Sequence, residues 1–202
     1  MKIGIIVGSH RAKSQSAKMA DVIRMQLTEP AFSASVFNLD LATKKLPLWD
    51  EGVWSGDPEW KKLWEPIATE LKSCDGFVVI SPEYHGMVPA ALKNFFLLAG
   101  KDELGHKPGL IVAVSSARGG SYPVAELRLS SYKNSRINWI PEHLIVRNAE
   151  QVLNGGKAVS EDDQFTRDRL QYCLKLLLEY SKALKLVRAS GVVDFKTHPN
   201  GM

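Results

Sequence analysis

Cysteine is scarce: only Cys74 and Cys173 occur in 202 residues. They stand far apart in apolar surroundings, without CxxC or metal-ligand spacing, and are expected as buried thiols rather than a disulfide framework. The five histidines never fall into a ligand pattern with cysteines or carboxylates, so no metal centre is expected. Long apolar runs are also missing. None reaches the length of a membrane span, and the amino-terminal segment has no basic flank of an export signal, so the expected location is the cytoplasm. The charge surplus is mild, +4, and scattered, with no basic block or basic–aromatic repeat for a nucleic-acid groove. Catalytic signatures are missing too. The lack of GxGxxG excludes a Rossmann dinucleotide loop, and the lack of GxxxxGKS or GxxxxGKT excludes a P-loop nucleotidase. Ser–His–Asp hydrolysis would want a GxSxG elbow, and no acidic pair stands out for glycoside chemistry.

What is present is alternation. Ile3, Ile5, Ile6 and Val7 form a β-branched apolar run, and apolar spacing then resumes at Met19, Ala20, Ile23 and Leu27 with helical period. Further along, the sequence predicts strands at 35–39, 76–80, 109–115 and 139–146, with helices at 16–28, 58–72, 90–99, 122–134 and 162–188. Strand and helix alternate without repeat or composition break, which argues for a parallel sheet covered on both faces. Five short strands favour a flavodoxin-like three-layer α/β/α sandwich of order 2-1-3-4-5, one domain over 1–202 with a loosely ordered tail at 190–202.

In that order strands 1, 3 and 4 are neighbours, and each runs into an unusual loop at its carboxyl end. The first loop carries Ser9, Arg11, Lys13, Ser14, Gln15 and Ser16 just before a helix. Hydroxyls and free amides at a helix N-terminus suit a phosphate, although Ser14 or Ser16 would also serve as a plain helix cap. The second, Ser81-Pro82-Glu83-Tyr84-His85-Gly86, combines a stiff strand exit with a glycine that admits close backbone approach to a planar ligand. It would equally serve as a simple turn with a surface histidine. The third, Ser115-Ser116-Ala117-Arg118-Gly119-Gly120, offers small residues, amides and a cation, and read alone is only a strand-to-helix turn.

Taken together, Gly8-Ser9-x-Arg11-x-x-Ser14-x-Ser16 and Ser81-Pro82-Glu83-Tyr84-His85-Gly86-x-x-Pro89-Ala90-x-Leu92-Lys93-Asn94 resemble the NADPH-dependent FMN reductase family. The segment Leu46-Pro47-Leu48-Trp49-Asp50 resembles that family's LPLYD segment, and the likeness covers roughly 1–150. The resemblance implies non-covalent FMN. Ser9, Arg11, Ser14, Gln15 and Ser16 would hold its phosphate. Pro82, Glu83, Tyr84, His85 and Gly86 would line the isoalloxazine, mainly through backbone amides. Ser115, Ser116, Gly119 and Gly120 would approach the pyrimidine end, with Arg118 balancing charge there. Relatives often carry Asn where this chain has Ser16 or His85. The family's KNAIDW is replaced by Lys93-Asn94-Phe95-Phe96-Leu97-Leu98.

The implied activity is ping-pong transfer from NADPH through FMN to a quinone, flavin, azo compound or metal oxyanion. Flavin N5 carries the chemistry and no side chain is named as catalytic. Arg11, Lys13, Lys44 and Lys45 are the expected contacts of the NADPH 2′-phosphate. An electron carrier or a non-catalytic FMN-binding protein is the alternative; the positive net charge weighs against a carrier of the acidic flavodoxin type. On the last helix Leu170, Leu174, Leu177, Leu178 and Leu184 form one apolar stripe, and Tyr172, Leu176, Tyr180, Ala183 and Val187 a second. The spare stripe and the apolar 90–99 helix favour a homodimer or homotetramer.

Overall fold

Every central strand is apolar on both faces, and the residues sort by parity into two cores. The computed structural model describes residues 1–201. Its strands are β1 (Lys2–Val7), β2 (Ser35–Asp40), β3 (Gly76–Pro82), β4 (Pro108–Val114) and β5 (Asn138–Val146). They pair in parallel in the order β2-β1-β3-β4-β5. Side chains alternate across a strand. Ile3, Ile5, Val7, Val78, Ile80, Leu110, Val112 and Val114 therefore share one face, while Ile6, Phe77, Val79, Ile111 and Ala113 share the other.

Two helices cover the first face. α1 (Gln15–Thr28) supplies Met19, Ile23 and Leu27, and a second, long helix, Glu161–Ala189, supplies Leu170, Leu174, Leu177 and Leu178. The opposite face is covered by α3 (Pro58–Ser73), α4 (Ala90–Leu98), α5 (Lys101–Leu104) and α6 (Ser121–Ser130), through residues such as Leu71, Leu92, Phe95, Leu104 and Leu127. With α2 (Gly52–Ser55) before α3, the carboxyl-terminal helix is α7. This is the expected α/β/α sandwich. The four-residue helices α2 and α5 were not expected, because one turn is too short to display a period. Among the described residues no helix is long and apolar enough to cross a membrane.

On α7 the first stripe is buried except for half-buried Leu184, whereas Tyr172 and Val187 of the second are open, 48% and 40% exposed. The tail departs from its expected looseness. Phe195 stacks on His106 with ring centroids 5.7 Å apart, and the Arg136 guanidinium lies over the same ring at 5.1 Å. Arg136 also donates to the His198 carbonyl at 2.5 Å, and the Gly201 N–H donates to Asn134 at 3.1 Å. An aromatic ring with a flat partner and a cation above it has reason to dock.

One buried cation joins the helices of the second core. Lys107 is 6% exposed, yet its ammonium donates to the carbonyls of Leu71, Lys72 and Glu103 at 2.9, 2.9 and 2.7 Å. These are last-turn carbonyls of α3 and α5; that of Leu71 also accepts the Cys74 cap amide at 3.1 Å, while those of Lys72 and Glu103 have no other donor. Burial pushes the Lys107 amine down to about 8, with Cys74 and the nearby carboxylates opposing the fall. Replacing Lys107 by Met should cost roughly 2–4 kcal/mol, since three buried acceptors lose a donor. Because the unfolded chain binds the proton more tightly, wild-type unfolding free energy should rise, relative to Lys107→Met, from about pH 8 to the ordinary lysine value of 10.5. Chemical denaturation across that range checks both.

Candidate active site

Since β1, β3 and β4 are adjacent and parallel, the loops that leave their carboxyl ends meet along one edge of the sheet. Between them lies a cavity of 180 Å³ lined by Arg11, Ser14, Gln15, Ser16, Pro82, Glu83, Tyr84, Val114 and Ser116. The structure thus gathers residues of all three loops. Val114, not foreseen, lines the floor because β4 ends there.

In the first loop Gly8 follows β1 so closely that a Cβ would stand 2.6 Å from Leu92 and 2.8 Å from the Ile80 carbonyl. Ser9 is fully buried; its hydroxyl shares a 3.0 Å hydrogen bond with the Tyr84 phenol and accepts from the Arg11 amide at 3.2 Å. Ser14 caps α1: its hydroxyl accepts from Ala17 at 3.1 Å and its carbonyl from Lys18 at 3.3 Å. These two bonds use the third and fourth amides of the helix. Those of Gln15 and Ser16 have no carbonyl behind them and point out of the helix end. Ser16 is 1% exposed, and its hydroxyl, like the Gln15 Oε1, has no partner. An orphaned buried hydroxyl is costly. The set of an unpaired hydroxyl, free amides, a helix N-terminus and the exposed Arg11 fits a phosphate.

The second loop is a two-residue hairpin turn. Tyr84 and Met87 exchange backbone bonds of 3.1 and 2.9 Å around His85 and Gly86, whose φ angles are 51° and 73°. Both central residues thus sit at positive φ, which asparagine tolerates better than most residues. The turn makes its demand on the backbone at position 85. The expectation that amides throughout 82–86 face a ligand needs correction. Pro82 has no N–H, Glu83 donates to the Val114 carbonyl at 3.0 Å, and Tyr84 is used in the turn. His85 and Gly86 keep free amides at the tip.

The third loop is corrected similarly. The Gly120 N–H donates to Glu83 Oε2 at 2.6 Å, so this amide joins two loops and faces no ligand. A Cβ on Gly119 would meet Glu83 Oε1 at 2.7 Å, and one on Gly120, at φ 106°, would meet Ile145 at 2.4 Å. The glycines are needed for loop packing. Ser115 is spent on the frame: its amide donates to Val146, and its hydroxyl accepts from Ala117 at 3.3 Å. Ser116 stays beside the cavity, and Arg118 is exposed.

Two residues outside the three loops support them; Glu126 carried no sequence signal, and Asn94 stands out only as part of the motif. Glu126 of α6 accepts the Val88 amide at 2.8 Å and pairs with Lys93 at 2.5 Å, which ties the hairpin to α4 and α6. Burial pushes the Glu126 carboxyl up, but Lys93 and the Val88 amide outweigh it and hold the group below its ordinary value. Asn94 of α4 donates to the Pro47 carbonyl at 2.7 Å and accepts from the Trp49 amide at 2.8 Å, fixing the 46–50 loop. Lys44 lies apart, in a cavity with Asp50, Asp57, Glu59 and Trp60, and Lys45 is exposed in the same loop. The two serines of the helix end should separate cleanly: Ser14→Ala should cost about 1 kcal/mol as a lost cap, while Ser16→Ala should cost nothing, because its hydroxyl bonds to nothing in the protein. Paired thermal unfolding curves check this.

The chain is 29% identical over 178 residues to a 2-hydroxy-1,4-benzoquinone reductase of a Burkholderia species, covering 85% of this chain and 91% of the relative. It is also 29% identical over 146 residues to an NADPH azoreductase of Bacillus sp. strain OY1-2, covering 72% and 76%. An oxidoreductase structure from Corynebacterium diphtheriae shares the fold, with a TM-score of 0.69, 17% identity and coverage of 90% and 97%. Residues 1–151 match the NADPH-dependent FMN reductase family. With three-quarters of its length matched and the loops of β1, β3 and β4 converging as that fold requires, the chain belongs to the NADPH-dependent FMN reductases, oxidoreductases that work with FMN and NADPH.

Proposed function

We propose that this chain takes reducing equivalents from NADPH and passes them, by way of FMN held in the cavity, to a small planar acceptor, a quinone foremost. The observation that carries this reading is the partnerless Ser16 hydroxyl beside the free Gln15 and Ser16 amides. A phosphate monoester brings acceptors and negative charge to those donors and to the positive end of α1. Ser9, Arg11, Ser14, Gln15 and Ser16 then form the phosphate end of the site. Ser9 acts partly through Tyr84, whose phenol it holds.

From that anchor the ring would lie toward Pro82–Gly86 and Ser115–Gly120. The free His85 and Gly86 amides would donate to its polar edge, while Arg118, expected beside the pyrimidine end, lies outside the lining of this cavity. The Glu83–Gly120 bond keeps the two loops at one separation, so the ring meets a preformed slot. The chemistry that FMN supplies when bound is acceptance of hydride at N5 from C4 of NADPH and its release to the acceptor in a second half-reaction. Protein groups bind, orient and leave one face of the slot open to both reactants in turn. The naming of two relatives for a benzoquinone and for azo reduction supports a planar acceptor.

The same reading includes a homodimer or dimer of dimers in the cytoplasm. Leu97 of α4 and Leu129 of α6 are 65% and 81% exposed, and Tyr132 beside them 50%, in addition to the open stripe on α7. These apolar side chains stand open on both layers of the sandwich, and further copies of the chain would cover them. Sedimentation at micromolar protein should give at least twice the chain mass; a monomer would overturn the assembly.

Purified protein should take up FMN, turn yellow and bleach anaerobically on adding NADPH, with the colour returning on adding a benzoquinone. His85→Asn should keep bleaching within about threefold of wild type, since Asn accepts the same positive φ. A collapse of bleaching with FMN still bound would assign the imidazole a chemical part that this reading denies.

A further inference from the structure

Alongside the third loop lies a second and larger cavity of 630 Å³. Its walls include Arg118, Arg147, Asn148, Gln151, Asp162 and Phe165. Ser116 lines the first cavity and Arg118 the second, and residues two apart in a chain have Cα atoms no more than about 7 Å apart. The two cavities are therefore consecutive along one loop.

The segment after β5 is tied to that loop in register. The Arg147 Nε donates to the Arg118 carbonyl at 2.8 Å, and the Asn148 and Ala149 amides donate to the Ala117 and Ser115 carbonyls at 2.8 and 3.1 Å. Asn148 takes a positive φ of 46° to make this turn. The bonds hold the two arginines side by side while leaving both guanidinium ends exposed. Among the described residues no carboxylate lies within 4.0 Å of either, whereas Arg24, Arg167, Arg169 and Arg188 are all paired. Phe165, on the first turns of α7, is 72% exposed.

We propose that this cavity seats the adenosine 2′-phosphate half of NADPH, an inference that rests on the reductase reading above. The volume is in the range for a nucleotide-sized ligand and too large for a lone phosphate. Two guanidinium groups without a carboxylate partner line the cavity and match a phosphate dianion, the open Phe165 ring offers a stacking face for adenine, and the Asp162 carboxylate would accept from ribose hydroxyls. Position agrees as well, since the nicotinamide end then has only the third loop to cross to reach the ring slot.

This assignment replaces the expectation placed on Lys44 and Lys45. The cavity of Lys44 holds Lys62 as a second cation but three carboxylates, those of Asp50, Asp57 and Glu59, a net negative wall that repels phosphate. The cavity beside β5 has two arginines against one carboxylate. Arg11 and Lys13 stand at the phosphate end of the first cavity, where FMN already claims the positive field.

The test uses FMN-loaded protein and two readouts. By calorimetry, adenosine 2′,5′-bisphosphate should bind wild type, and Arg147→Ala should weaken it about tenfold or more, while FMN content stays unchanged. Adenosine 5′-monophosphate should bind weakly and be indifferent to Arg147. In steady state, Arg147→Ala should raise KM for NADPH by a like factor with little change for NADH. Phe165→Ala, which removes an exposed ring, should raise KM for both nucleotides. Where Arg147→Ala loses FMN, Arg147→Gln and Phe165→Ala carry the same two readouts. An unchanged NADPH-to-NADH ratio in the Arg147 variants, or the same loss appearing instead in Lys44→Ala with Lys45→Ala, overturns the assignment while wild-type bleaching leaves the reductase reading standing. Wild type that bleaches with neither nucleotide overturns the reductase reading itself.

Discussion

Because β1 runs into α1 on one face of the sheet while its parallel neighbours β2 and β3 run into α3 and α4 on the other, the connections part at its carboxyl end. α1 packs on one face of the sheet, α3 and α4 on the other, and nothing closes the gap between the helix ends. Every feature of the site depends on that gap. It leaves the first amides of α1 without carbonyl partners and places a hydroxyl-rich loop beside them. The buried Ser16 hydroxyl is the clearest mark, since it has no partner in the protein and lines the cavity, where a phosphate would supply an acceptor.

The neighbouring loops spend most of their polar groups on each other. Glu83 bonds Gly120, Tyr84 bonds Ser9, Glu126 holds Val88, and the segment after β5 holds Ser115 and Ala117. The amides left without a protein partner include those of His85 and Gly86 and the first two of α1. A site of this kind is rigid before its ligand arrives, which lowers the ordering cost of binding. Of the guanidinium groups without a carboxylate partner, that of Arg11 lines the first cavity and those of Arg118 and Arg147 line the second. Their separation suits a ligand set with phosphates at both ends and a reacting pair in the middle.

Much of this was legible in the residues. Continuous apolar runs at β1, β3 and β4 follow from burial on both faces, and alternation of strand with helix leaves few topologies. The convergence of the three loops then follows from strand order alone. What was not legible depends on pairing across distance. Nothing local tells that Glu83, which looks like a ligand contact, is bonded to Gly120, 37 positions away. Nor does the loop sequence show that Ser14 is consumed as a cap while Ser16 is left over, since either serine could serve. Lys107 reads as a surface lysine until the ends of α3 and α5 are seen to meet at its ammonium. Phe195 in a polar tail finds its partner only because His106 precedes β4.

The central claim is that the amino terminus of α1, with Ser16, anchors a phosphate and thereby selects the cofactor. The most direct measurement is the affinity of the colourless protein for FMN against riboflavin, which differ only in that phosphate, followed by quenching of flavin fluorescence. Two or more charge-assisted hydrogen bonds should make FMN bind roughly 100-fold more tightly than riboflavin, with the gap narrowing in Ser16→Ala. Equal affinity for the two flavins would contradict the account.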